Sequence, residues 1–353
     1  MQIQSVKIIP YQLGLKQLWQ TNQNSLDKRN GWLVKITTDS GLSGYGDSAP
    51  LHSAGTEQTD KTFKQLKKYR AILQKTTVSD ALNKLNTTEK TPAARCGVET
   101  ALLDLSSQVE QKTLRHWLNP RAKNTVTTNS VLGTLDNTSI QRVQQSISQG
   151  FHTVKLKVGV NKLEDEIRYL ENLCIQLPAT VKLRLDANTA WNFQQATTFI
   201  SAVKHLPIES IEEPIQNPDL LSLSKLQEKS PIPLALDESM SLFKLDEIVK
   251  HQVLKRLIIK PMVHGGLLPS LVIARQAALH DVETVVTSII ESAIGLQATA
   301  QLAAAIPIFD DMKAHGLATS EWLTNDLAQS PLIMNGNLQL PNTPGLGLSP
   351  KKG

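Results

Sequence analysis

Charged residues close a run of short apolar segments at a nearly even step: Lys155 and Lys157, Asp186, Glu212, Asp237 and Lys260. From Lys157 the gaps are 29, 26, 25 and 23 residues. Each gap has room for one strand, one helix and their two loops, the unit of a parallel α/β fold. A charge at each strand end, repeated at that step, predicts the rim of one barrel.

The segments VKLK (154–157), LRLD (183–186), SIEE (210–213), LALD (234–237) and LIIK (257–260) read as strands. Between them, stretches such as LEDEIRYLENLCIQL (163–177) and QQATTFISAVKHL (194–206) carry helical apolar spacing. Strand and helix in alternation predict a parallel sheet. A doubly wound open sheet gathers its ligand residues at one switch point, often beside a glycine-rich first turn, and no such turn is present. Rim residues from five successive units suit a closed (β/α)8-type barrel instead.

A barrel of this type takes about 250 residues, and the chain has 353. The surplus lies at the front, where IQSVKIIPYQL and WLVKITTDSGLSGYGDSAPL read as strands and a hairpin, followed by helical stretches from about Glu57 to Val109. The expected division is an α+β capping domain over residues 1–122 and a catalytic barrel over 123–332. A tail of about 333–353 is expected to pack back on the cap. The polar segment from Leu13 to Arg29 reads as a loop able to close over the barrel mouth.

The chain is 40% hydrophobic and 20% charged, an ordinary globular composition. Its formal charge of +5 comes from dispersed basic residues, and aromatics are 4%, so neither a basic stripe nor a stacking platform for nucleic acid stands out. Cys96 and Cys174 lie far apart outside any zinc spacing, which argues against a disulfide framework. No signal peptide is read at the start, and the apolar stretch 285–309 is broken by Glu291, Gln297 and Gln301. A cytoplasmic protein with no membrane or nucleic-acid partner is expected, with a homo-oligomer left open.

Three carboxylates on neighbouring strands, Asp186, Glu212 and Asp237, form a hard oxygen set suited to Mg2+ or Mn2+ rather than zinc. A single acid at a strand end commonly caps the next helix; three in successive units point to a metal. Lys155 and Lys157, two apart on a strand, share a face. At about 6.6 Å and an effective dielectric near 20 their repulsion is about 2.5 kcal/mol, enough to take about two units off one lysine pKa. Such a lysine can act as a base at neutral pH. Lys260 faces the pair from the far side, an arrangement suited to proton abstraction α to a carboxylate. Gly265 and Gly266 either allow a close backbone approach or form a turn.

With KLK (155–157), DAN (186–188), EEP (212–214), LDES (236–239) and IKP (259–261) in this order, the chain resembles the enolase superfamily and, within it, the muconate-lactonizing subgroup. The likeness extends to GYGDSAPL (44–51), ARCGVETALLDL (94–105) and TSIIESAIGL (287–296). Asp47 stands where many relatives carry Glu. The resemblance implies a Mg2+-dependent enzyme acting on a small carboxylate, with Lys157 as base, Lys260 on the opposite face, and Lys155 lowering the pKa of Lys157. It implies Asn188 and Glu238 as supports beside the ligands, and Ser288 and Ser292 as substrate-tail contacts.

Dipeptide epimerases resembling this chain place a DxD pair on the eighth strand. Here Asp310 and Asp311 are adjacent, so on a strand they would point to opposite faces. AHGLATSEWLTNDLAQSPL (314–332), GWLV (31–34) and APLHSAGTE (49–57) look instead like o-succinylbenzoate synthases. That likeness implies a lyase of menaquinone biosynthesis, dehydrating 2-succinyl-6-hydroxy-2,4-cyclohexadiene-1-carboxylate. A dipeptide epimerase or N-acylamino acid racemase uses the same two lysines and is the alternative; a non-catalytic metal-binding relative is a remote third.

Overall fold

The computed structural model describes residues 1–20, 25–85, 90–250, 253–307 and 313–351. The chain starts with an antiparallel sheet of β1 (Ile3–Gln20), β2 (Ser25–Thr38) and β3 (Ser43–Ser48). The segment expected as a mouth loop is therefore largely strand: Leu13 pairs with Arg29 and Gly14 with Lys28. Leu13, buried on one face of β1, packs with Ile290 and Leu323 of the barrel, and that apolar contact holds an otherwise polar stretch in a hairpin.

Helices Thr59–Leu73, Val78–Asn83 and Pro92–Val109 cover the sheet, burying Val34, Ile36, Leu66, Tyr69, Leu102 and Leu105 in one cluster. Sheet and helix meet backbone to backbone. A Cβ on Gly46 would lie 1.9 Å from the carbonyl oxygen of Gly97, so only glycine fits there.

The barrel runs from β4 (Thr125–Thr127) through β5 (Ser130–Thr134), β6 (Thr153–Lys157), β7 (Lys182–Asp186), β8 (Ile208–Glu212), β9 (Leu234–Leu236), β10 (Arg256–Ile259) and β11 (Glu283–Val286). Among the described residues β5 to β11 form one parallel sheet in chain order. The eighth place is taken by His315 and Gly316, which bridge in parallel to Thr128 on one side and Thr287 on the other. Four backbone hydrogen bonds of 2.8–3.0 Å, linking His315 to Thr127 and Asn129 and Gly316 to Val286 and Ser288, close the ring. The layer between strands and outer helices is aliphatic, with Leu156, Leu183, Leu185, Ile211, Leu236 and Leu257 at its centre.

Beyond the ring, β12 (Ile333–Met334) and β13 (Asn337–Gln339) form a small sheet with β4. The tail then runs to the helix Pro92–Val109, where Leu346 donates its amide to Asp104 at 2.7 Å. Fully buried Arg115 fixes this turn by donating to Pro341 O at 2.6 Å and to Asn342 Oδ1 at 2.8 Å. No helix of the described residues is long and apolar enough to cross a membrane.

Candidate active site

Register decides where the charges meet. Lys157 is the partner of Asp186 across β6 and β7, and Asp186 is the partner of Glu212 across β7 and β8. Asp237 and Lys260 follow directly on β9 and β10. All five, with Lys155, Asn188, Glu238 and Ser288, line one cavity of about 430 Å³ at the C-terminal mouth of the barrel. Its apolar side comes from Leu51 and Ala54 of the cap and from Ile289, Ile290 and Trp322 of the barrel loops. In the ring of eight, β6 and β10 are four places apart in either direction, so Lys157 and Lys260 enter the cavity from opposite walls.

Lys155 donates to Glu212 Oε1 at 2.7 Å and is 2.8 Å from Asp186 Oδ2. Burial alone would lower its pKa, but Asp186 and Glu212 outweigh that and hold it above the ordinary lysine range. Of the two lysines on β6, Lys155 is thus not one poised for deprotonation, since its charge is answered by two carboxylates. The acids crowd one another: burial, then the fields of Asp186 and Asp237, push Glu212 well above the carboxylate range against the pull of Lys155.

Lys260 donates to Asp237 Oδ2. Burial works against the Lys260 ammonium, and Asp237 leads the groups that keep its pKa raised. Asp237 is set in place by Glu213, whose carboxylate accepts the amides of Asp237 at 2.7 Å and Ser239 at 2.9 Å and the Ser239 hydroxyl at 2.6 Å. Glu213 adopts φ +47, a left-handed conformation that turns two consecutive glutamates to different tasks: Glu212 to the cavity, Glu213 to this support. Asn188, at φ +41, gives its amide to Asp186 Oδ1 at 3.0 Å and its side chain to Glu238 Oε1 at 3.1 Å.

The loops after β10 and β11 are clamped by the cap. Gly265 ends the short helix Pro261–His264 in the left-handed region, and Gly266 meets Glu99, whose Oε2 would lie 2.0 Å from an added Cβ. The pair therefore makes both a turn and a close approach. Ser288 lines the cavity, but its hydroxyl donates to Glu291 and lies 2.8 Å from Thr319 Oγ1. Ser292 is absent from the lining. It is 1% exposed and donates its hydroxyl to Asp47 at 2.7 Å, so the expected substrate contact is a contact between cap and barrel instead. Asp47 also accepts from Tyr11 at 2.6 Å, which gives the glutamate-to-aspartate departure a structural place.

Residues the sequence did not single out form the barrel floor. Arg184 donates to Glu209 at 3.0 and 3.1 Å and to Asn129 at 3.2 Å. Arg256 donates to Ser210 and Glu283, both at 2.7 Å, and Lys313 approaches Glu283 at 2.7 Å. Strand parity could have found them, because Arg184, Ser210 and Arg256 lie an even number of residues before Asp186, Glu212 and Lys260 and so share their face. Asp310 and Asp311 lie outside the described residues.

Residues 139–353 match the family model described as Enolase C-terminal domain-like. The chain belongs to this family, the enolase superfamily. Among its relatives, the N-succinyl-L-Arg/Lys racemase of Bacillus cereus is 25% identical over 99% of this chain and 95% of its own. Protein PHYLLO, chloroplastic, of Arabidopsis thaliana is 27% identical over 86% of this chain, which spans 20% of that protein's length. The dipeptide epimerase of Enterococcus faecalis, solved with Mg and the dipeptide L-Leu-L-Tyr, superposes with a TM-score of 0.89 at 25% identity, covering 99% of this chain and 100% of that one.

These enolase-superfamily relatives overturn the o-succinylbenzoate synthase expectation, with its lyase class and menaquinone pathway: curated relatives that align along most of their length include enzymes named as racemases and epimerases. The phrases that suggested it divide between fold and cavity, Leu51 and Ala54 of APLHSAGTE being in the lining. Glu57 of GTE accepts the amides of Ala93 and Ala94, both at 2.9 Å, at the start of a cap helix. Trp32 and Val34 of GWLV lie in the cap core. Of the 314–332 stretch, Gly316, Thr319 and Trp322 line the cavity, whereas Leu317, Leu323 and Ala328 are core.

Proposed function

We propose that the chain is a divalent-metal-dependent racemase or epimerase that inverts the α-carbon of an N-acylated amino acid or a dipeptide. The observation that carries this reading is the placement of two lysines on opposite walls of one cavity. Inversion without redox chemistry needs one group to remove the α-proton from one face and another to return a proton to the other face. Lys157 and Lys260 are assigned those roles, exchanging them with the direction of reaction. Relatives named for the same outcome support the assignment.

Asp186, Glu212 and Asp237 would hold the metal. The set fits a hard cation chemically: all donors are carboxylate oxygens, and they crowd in a buried site where their mutual repulsion goes incompletely answered. When bound, Mg2+ would supply fixed positive charge beside the substrate carboxylate and make its α-proton more acidic. Lys155 aligns Asp186 and Glu212; Glu213 and Asn188 orient Asp237 and Asp186. The apolar wall of Leu51, Ile289, Ile290 and Trp322 shields the reacting carbon from water.

The test is polarimetry of purified protein on N-succinyl and N-acetyl amino acids and on dipeptides, with Mg2+ and with chelator. A metal-dependent change of optical rotation with the summed concentration of the two stereoisomers constant supports the reading. A product of different mass from the substrate, or no turnover by folded, metal-loaded protein, would count against it.

A further inference from the structure

The cavity has two apolar walls from distant parts of the chain, and one buried side chain holds both. Arg29, on β2 of the cap and 2% exposed, donates from Nη2 to Ala49 O at 2.8 Å and from Nη1 to Pro50 O at 3.0 Å. Those carbonyls directly precede Leu51, the cap's contribution to the wall. Its Nε donates to Ile290 O at 3.1 Å, in the loop after β11. A lysine could not repeat this, because an ammonium lacks the planar fork that meets three carbonyls at once.

Ile290 itself is held in an unfavourable shape. It is a β-branched residue at φ +65, a conformation that persists only where the surroundings over-determine it. Three contacts do so: its amide donates to Ser288 Oγ at 3.0 Å, the Ile289 amide donates to Glu291 Oε2 at 2.8 Å, and Arg29 takes its carbonyl. The Ile290 side chain packs with Leu13 and Leu323 while lining the cavity.

We propose that Arg29 is a positioning residue for substrate selection, a latch that fixes the gap between the Leu51 wall and the Ile290 wall and so sets the size of side chain or acyl group admitted. The selectivity part rests on the isomerase reading; the latch stands on the geometry alone. Arg29 has no place in proton transfer, since each of its three nitrogens donates to a backbone carbonyl.

The test pairs Arg29→Lys with Ile290→Gly. The first keeps the charge and removes the fork; the second removes the wall while letting the loop keep its backbone shape, because glycine is at ease at that φ. Two readouts are taken on the full chain: hydrogen exchange of the peptide spanning 287–292, and relative kcat/KM over N-acetyl and N-succinyl derivatives of alanine, valine, leucine and phenylalanine. Arg29→Lys is expected to speed exchange in 287–292 but not in the outer barrel helices. Both variants are expected to flatten the size discrimination by about tenfold, the scale that pocket fit supplies. Unaltered exchange in Arg29→Lys together with unaltered discrimination would overturn the proposal. If Arg29→Lys does not fold, discrimination retained by Ile290→Gly overturns it and discrimination lost supports it. If the unmodified protein turns over no member of the panel, the isomerase reading fails and exchange decides the latch: faster exchange in Arg29→Lys supports it, unchanged exchange overturns it.

Discussion

Lys157 and Lys260 stand on strands four places apart whichever way the ring is followed, the greatest separation that eight places allow. Each emerges at the C-terminal rim, and between them on one side lie the three acids Asp186, Glu212 and Asp237. A planar carbanion formed between the walls would present one face to each lysine. The lysines differ in their surroundings: Lys260 donates to Asp237, whereas Lys157 lies beside Asp186 in the strand register.

Metal binding should register as stability. A ligand that binds only the folded state adds about 2.7 kcal/mol at a hundred times its Kd, so Mg2+ is expected to raise the denaturation midpoint and chelator to reverse it. Glu213→Gln, which weakens the support of Asp237 without touching a proposed ligand, should weaken Mg2+ binding by about 10- to 100-fold in calorimetric titration. Equal affinity in the variant would show that Glu213 does not orient the site.

Lys155→Met removes the ammonium between Asp186 and Glu212 and leaves two buried acids unanswered. Breaking such a pair from one side costs about 3 kcal/mol or more, read by urea denaturation at pH 7 without metal. Mg2+ should restore part of the loss, since it would supply the missing positive charge. A variant as stable as the parent would mean that the pairing contributes little.

Gly266→Ala tests the clamp on the loop after Lys260. The added Cβ would meet the Glu99 carboxylate at a backbone φ of +136, so either the buried Glu99 side chain, with its bond to Arg95, or the loop must move. A loss of about 2 kcal/mol or more in chemical denaturation is expected, with reduced turnover because Lys260 begins that loop. Unchanged stability would refute the close approach.

His315 gives the acid limb of stability a specific origin. Its Nδ1 accepts the Val286 amide at 3.0 Å, and burial first, then Arg184 and Lys123, lower its pKa to about 3. The unfolded chain takes up this proton near pH 6.5 and the folded protein near 3, so the unfolded state binds more protons between those values and stability falls as pH drops through that window. Across the full window this loss is on the order of 5 kcal/mol. His315→Gln should flatten urea midpoints between pH 6.5 and 4 relative to the parent; parallel curves would remove His315 from this role.

Much of the barrel was legible because its determinants are local. Leu183 and Leu185 alternate with Arg184 and Asp186 within one strand, and the step from one such strand to the next repeats. Ser292 shows where local reading stops. Its sequence neighbourhood is that of a mouth residue, yet its partner Asp47 lies 245 positions away, and no periodicity encodes that meeting. The stretch 13–29 was misread for a related reason: its polar residues suggest a loop, but Leu13 is covered by Ile290 and Leu323, which only the folded chain brings there. The o-succinylbenzoate synthase expectation leaned on phrases such as GTE and GWLV, whose side chains cap a helix or fill the cap core and never reach the cavity.

The most direct test of two-walled proton transfer is exchange of the substrate α-proton in deuterium oxide with each lysine removed in turn, followed by mass and chiral analysis of an N-succinyl amino acid. The parent should racemise both enantiomers and label their products. Lys157→Ala should retain α-exchange for one enantiomer alone and Lys260→Ala for the other, with racemisation abolished in both. Loss of all exchange in one variant alongside unimpaired racemisation in the other would contradict the account, since a single lysine would then serve both faces.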